Sequence, residues 1–141
     1  MTYATLADLI ARAGEDEILQ VADRDGDGVA DATVIAKALS DAGDIVDARL
    51  AARYQVPLTS TPKIVNGWAV SIARYFLHRD GAPEHVVRDY TNALNDLKDA
   101  AAGKFPVPDA AGIAPAESSS GSVTAYGSSP AFSKGNLEGF L

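Results

Sequence analysis

Four aspartates fall within nine residues of the stretch VADRDGDGVAD: Asp23, Asp25, Asp27 and Asp31, with Gly26 and Gly28 between them. Carboxylates at alternate positions are how a chain gathers oxygen ligands around a hard divalent cation. A helix–loop–helix calcium loop takes ligands from positions 1, 3, 5, 7, 9 and 12, with glycine at 6. Counted from Asp23, the first three ligands are Asp23, Asp25 and Asp27, the glycine is Gly28, Val29 offers its carbonyl, and Asp31 falls at position 9. Position 12 is Val34, so the bidentate carboxylate that completes such a site is missing. Two readings stand. In one, the carboxylates hold a structural Ca2+ that neutralises their mutual repulsion. In the other, the stretch is a solvated polar turn, and Asp31 caps the helix that follows. Neither makes a calcium switch, because sensing requires a competing conformation for the ion to bias.

No other constellation suggests catalysis. The two histidines, His78 and His85, flank the turn RDGAP, and the chain has no cysteine to pair with them. There is no HExxH, no Ser/His/Asp signature, no P-loop and no dinucleotide fingerprint. DGDG lacks the lysine and the preceding strand that a phosphate cradle needs. Arg74, Arg79 and Arg88 read as a solvated basic face. The expectation is a protein that is not an enzyme and requires no cofactor.

The elements around the aspartates are helical. Thr5 and Asp8 form a capping pair for a helix to Ala13, with Leu6, Leu9, Ile10 and Ala13 at helical spacing and Gly14 as its stop. Glu15, Asp16 and Glu17 suit the positive end of a second helix, which carries Ile18, Val21 and Ala22 inward. A third runs from about Ala32 to Tyr54, on the stripe Ile35, Leu39, Ala42, Val46, Leu50 and Tyr54. Gly43 lies inside it and should weaken it by about 1 kcal/mol relative to alanine. A fourth opens at STPK, with Thr61 as cap and Pro62 in the first helical position, and buries Val65, Trp68, Ala69, Ile72 and Phe76. The fifth starts at Pro83, with Val87, Tyr90, Leu94, Leu97 and Ala101 as its buried side and Gly103 as its end. No useful strand-like alternation occurs. The fold class is all-α, a small bundle of about five helices over residues 1–104.

Composition shifts at Phe105. Sixteen of the last 37 residues are Gly, Ser or Pro. Alone, such a segment cannot bury enough apolar surface to offset its ordering entropy. Residues 105–141 therefore read as an extended arm that orders on a partner, with Phe132, Leu137 and Phe140 as apolar anchors. Net charge is −7, unevenly spread: eleven acids and three bases in residues 1–48, eight bases and five acids in residues 49–104. An acidic chain repels phosphate backbones, which argues against nucleic-acid binding as the main role. Opposite-signed halves could let copies pack side by side in a ring, weakly and in a salt-dependent way. No basic n-region with an apolar h-region opens the chain, and no apolar run is long enough to span a bilayer, so a soluble protein made in the cytoplasm is expected.

Taken in order, TYATLADLIARAGEDEILQVADRDGDGVAD, ARYQVPL, ARYFLHRDGAP and the closing SPAFSKGNLEGFL resemble the Mu-like phage and prophage head–tail adaptor family, also called neck or head-completion proteins. The likeness covers nearly the whole chain, including a Ser-x-x-x-Leu-x-Gly-Phe pattern from Ser133 to Phe140. Gly43 and the polar STPKIVNGW depart from it. The resemblance implies a helical bundle that assembles as a ring of about twelve copies beneath the portal of a tailed capsid. Its partners would be itself, the portal and the next neck or tail-completion protein. DNA would pass through the channel without specific binding, no membrane would be involved, and the place of action would be the virion neck. A calcium-dependent protein-binding module centred on residues 23–31 is the rival from another class.

Overall fold

The computed structural model describes residues 1–112; the anchors Phe132, Leu137 and Phe140 lie outside the described residues. Five α-helices follow in order: α1 (Leu6–Ala13), α2 (Glu15–Ala22), α3 (Ala32–Leu50), α4 (Lys63–Leu77) and α5 (Glu84–Ala101). Among the described residues the sole strand-like pairing is an isolated antiparallel bridge between Tyr54 and Gly112. No described helix is long and apolar enough to cross a membrane.

α3, α4 and α5 pack on one another, and α1 and α2 form a short hairpin laid against α4, with α2 also touching α3. α4 is central because it is apolar nearly all round: Val65, Trp68, Ala69, Val70, Ile72, Ala73 and Leu77 are all buried. The expected capping box opens α1, with the Thr5 N–H donating to Asp8 Oδ2 at 2.8 Å and the Asp8 N–H to Thr5 Oγ1 at 3.3 Å. Asp8 also accepts from Asn66 Nδ2 at 3.0 Å, which ties α1 to α4. The Thr5 N–H, then Asn66, holds the Asp8 carboxyl below its usual value.

Four sequence expectations shift. α3 ends at Leu50, yet Tyr54 remains buried because a turn returns it to the core. Pro62 rather than Thr61 takes the cap position of α4, so the helix starts one residue later than expected. α5 is rotated: Val86, Ala93, Leu97 and Ala100 face inward, Tyr90 and Leu94 are half-buried, and Val87 is 39% exposed. Apolar residues at both Val86 and Val87 allow two stripes on one helix, and tertiary packing selects between them. Finally, the packed chain continues past residue 104. Val107 is buried, its N–H donates to the Tyr54 hydroxyl at 3.0 Å, and Phe105 sits tilted on Trp68 with ring centroids 6.2 Å apart.

The N-terminal segment is pinned by Tyr3. Its buried hydroxyl donates to Asp47 Oδ1 and accepts the buried Leu58 N–H at 2.9 Å. Tyr3→Phe leaves that N–H unpaired, and a loss of about 1–2 kcal/mol is expected in urea unfolding. Burial first, and then the bond to Asp47, pushes the Tyr3 hydroxyl from 10.0 up to about 12. The folded state holds this proton more tightly than the unfolded chain. Its stabilisation is therefore complete below the unfolded value of 10.0 and fades as pH rises towards 12. The Phe variant should lack that alkaline limb.

Candidate metal centre and the polar cluster behind it

The aspartate loop joins α2 to α3. Its two ends are held together by the Asp31 N–H, which donates to the Ala22 carbonyl at 2.9 Å. Gly26 and Gly28 have φ of 76° and 82°, conformations in which any side chain would be strained, and they let the chain double back between the carboxylates. Asp23 is the hub. Its Oδ1 accepts the N–H groups of Gly26 (2.9 Å) and Asp27 (3.1 Å), and its Oδ2 accepts that of Gly28 (2.9 Å). Asp27 accepts from the Val29 N–H at 2.9 Å. Asp31 stands at the cap position of α3, but its side chain makes no bond to the first turn. It turns back instead to accept the Arg24 N–H at 3.0 Å.

Each of Asp23, Asp25, Asp27 and Asp31 offers a carboxylate oxygen, and the four oxygens lie within 4.8 Å of one another. Such a group can share one hard cation. Val34, at position 12, is half-buried on the first turns of α3 and adds no ligand. The backbone bonds, that from Gly28 foremost, hold the Asp23 carboxyl below its ordinary value. Asp25 moves the other way. The Asp27 N–H draws its carboxyl down, but the shared bond with Asp23, desolvation and the Asp27 charge outweigh it and raise it.

Behind the loop lies a cluster that the sequence did not disclose. Arg24 donates from Nε to the Val21 carbonyl (3.1 Å) and from Nη2 to the Leu77 carbonyl (3.2 Å), stapling the loop to the end of α4. Arg74, read above as part of a solvated basic face, is buried at 7% exposure. It forms a two-pronged pair with Glu17 of α2, Nε to Oε2 at 2.6 Å and Nη2 to Oε1 at 2.7 Å. His78 Nε2 is 3.4 Å from Glu17 Oε2, and His85 Nε2 is 3.4 Å from Arg74 Nη2. The two histidines thus meet one ion pair rather than a nucleophile. Arg79 is exposed, with a loose 3.8 Å approach to Asp80. Arg74 holds the Glu17 carboxyl below the usual glutamate range, and Glu17 raises Arg74 in return. The geometry is that of a structural lock between α2, α4 and the start of α5. The available signal was Glu17 itself, an acid one residue before the buried Ile18, opposite an arginine inside the most apolar helix.

The family model for Bacteriophage Mu Gp36 matches residues 3–125, which takes in nearly all of the described bundle. The chain belongs to the Mu Gp36 family. Among its relatives, Gene product J of Escherichia phage Mu is 30% identical over 105 residues, covering 74% of each chain. The Mu-like prophage FluMu protein gp36 of Haemophilus influenzae is 33% identical over 73 residues, 52% of each chain. Membership makes this Gp36-family chain a bacteriophage protein and points to a structural component of the virion.

Proposed function

We propose that this Gp36-family protein is a non-catalytic head–tail adaptor: a subunit of a ring beneath the portal that extends the DNA channel and joins capsid to tail. The observation that supports this reading most is the family match across residues 3–125, because it takes in the bundle as a whole rather than one motif. The polar clusters agree with it. The ion pair, the histidines and the aspartate loop all tie helices together, and acidic surfaces near a channel would repel passing DNA.

The test is light scattering of the purified protein, alone and with the purified portal of the same phage. A large, ring-sized complex that forms only with portal is the expected result. The same protein staying at its solution mass in the presence of portal would overturn the reading. A chain ending at residue 112 keeps Val107 and the Tyr54–Gly112 bridge. It is expected to melt close to the full-length protein but to lose the portal complex, because it lacks the apolar anchors Phe132, Leu137 and Phe140.

In this reading the aspartate loop needs no ion to fold, since its own N–H groups already occupy the carboxylates. Calcium would act as a clip on a formed loop. A chelator should therefore leave helix content and melting temperature unchanged. Millimolar Ca2+ should raise the melting temperature in the parent protein and not in Asp25→Ala, with portal binding equal in both. Loss of portal binding in Asp25→Ala would favour the calcium-dependent module instead.

A further inference from the structure

A hollow of about 490 Å3 opens between α1, α2 and the aspartate loop. Leu6 (41% exposed) and Val29 (64% exposed) form its lip, half-buried Ile10 and Leu19 its floor, and exposed Glu15 and Asp16 its rim. Two exposed large apolar side chains thus share one concavity, the arrangement that receives an apolar side chain from elsewhere. Its charge has one sign. No base lines it. Among the described residues neither Glu15 nor Asp16 makes an ion pair. The bases nearest along the chain are engaged elsewhere: Arg12 donates to Ser71 Oγ at 3.2 Å, and Arg24 to the Leu77 carbonyl. The hollow therefore selects an apolar group with a positive charge close beside it.

The chain carries that combination in the 29 residues that follow Gly112. Their only base is Lys134, two residues after Phe132. In an extended segment, residues two apart point to the same side, about 6.6 Å from one another. A Phe132 ring in the hollow then sets the Lys134 ammonium over the rim. Pro130, one step back on the same side, favours extended backbone at Ser129. The later apolar residues do not fit the sign: Leu137 adjoins Glu138, and Phe140 follows that acid by two. Glu138 itself falls about 13 Å beyond Lys134 in an extended segment, past the rim. Reach is ample. The 20 steps from Gly112 to Phe132 span up to about 66 Å, and a bundle of this size is roughly 35 Å across.

We propose that Phe132 of the chain's own C-terminal segment seats in this hollow, with Lys134 meeting Glu15 and Asp16. This deepens the adaptor reading and rests on it for its use: an anchor meant for the portal waits on its own subunit until the portal takes it. The seat itself can be tested on the protein alone.

The chain has no cysteine, so thiols can be placed at will. Full-length Val29→Cys with Ser133→Cys is oxidised at micromolar concentration in low salt, beside Ala52→Cys with Ser133→Cys as the control. Ala52 is exposed and two residues from Tyr54, the bridge partner of Gly112, so chance closure favours the control. The Val29 pair should nevertheless close its intramolecular disulfide at least about ten-fold faster, and added salt should narrow the gap. Phe132→Ser should abolish the excess and Lys134→Glu remove most of it; both positions lie outside the bundle. Glu15→Lys with Asp16→Lys should restore it in the Lys134→Glu background. Equal rates for the two pairs would overturn the seat. So would a Val29 product that is intermolecular, with a yield that rises with protein concentration, because the hollow would then belong to the segment of a second copy. Purified portal should slow the Val29 pair. A fast pair that portal leaves unchanged keeps the seat and counts against the adaptor reading. A portal complex together with equal rates sinks the seat alone.

Discussion

Glu17→Ala is expected to cost about 3–5 kcal/mol, the range for a buried ion pair that loses one partner. The cost falls on Arg74. Its side chain is 9% exposed, that of Glu17 23%, and its guanidinium takes both carboxylate oxygens of Glu17 at 2.6 and 2.7 Å. With the carboxylate gone, a fixed positive charge remains between α2, α4 and α5, beside the His85 ring at 3.4 Å and under the weaker attraction of Asp89. Arginine cannot escape by losing its proton. The chain must either hydrate the site by opening α2 or carry a poorly compensated charge. For a folded unit of this size, a melting temperature lower by on the order of 10–20 °C follows. Replacing both partners, Glu17→Met with Arg74→Leu, should recover most of the loss, because the desolvation cost disappears together with the attraction. If the single and double variants were equally unstable, the position would matter for packing rather than for charge.

The same pair sets the acid limit. The Glu17 carboxyl is held down chiefly by its bonds to Arg74. A carboxylate with a lowered folded value contributes stability above its unfolded value and loses it as pH falls through the folded one. The parent should therefore weaken below the ordinary glutamate range, near 4.5. The double variant should be flatter there. Equilibrium urea unfolding at several pH values from neutral to acid reads this directly.

The helices were legible in the sequence because their signals are local. Capping pairs, glycine stops and one stripe per helix require no knowledge of a partner, and α1, α2 and α4 follow them to within a residue at their starts, although Leu6 of the α1 stripe is 41% exposed and Phe76 of the α4 stripe only half-buried. What was not legible depends on contact. On α5 the sequence offers Val86 and Val87 as alternatives, and the choice belongs to α3 and α4, which it packs against. The aspartate loop was legible as a cluster, since its spacing forces the carboxylates together. It was not legible that Asp31 would serve Arg24 rather than the helix it precedes, because a capping residue and a loop-closing residue look the same in one dimension. The Glu17–Arg74 lock was invisible for a related reason. Its members are 57 residues apart, and each has an ordinary surface role at its own position.

Gly43 gives the sharpest contrast between local and tertiary reasoning. Helix propensity says that Gly43→Ala should stabilise the protein by about 1 kcal/mol. The structure reverses the sign. Gly43 is buried in the interior of α3, and a Cβ there would overlap the Met1 carbonyl oxygen, with the Met1 carbonyl carbon at 2.8 Å and Thr2 Cα at 3.3 Å. These are backbone atoms, so no rotamer change relieves the overlap. Nor can the segment simply lift away. Tyr3 is buried and bonded to Asp47 and to the Leu58 N–H, and its carbonyl accepts from Asn66 Nδ2 at 2.9 Å. Moving Met1 and Thr2 strains those bonds, and keeping them strains α3. An expected cost of about 3 kcal/mol follows, at the upper end of overpacking. Ala36, exposed on the same helix, supplies the control. Ala36→Gly should cost about 1 kcal/mol by propensity alone. Both substitutions should then destabilise in urea unfolding, although one adds a methyl and the other removes it. A stabilised Gly43→Ala would mean that the N-terminal segment does not lie against α3 in solution. In that case Tyr3→Phe should also be nearly silent, because the two effects share one contact.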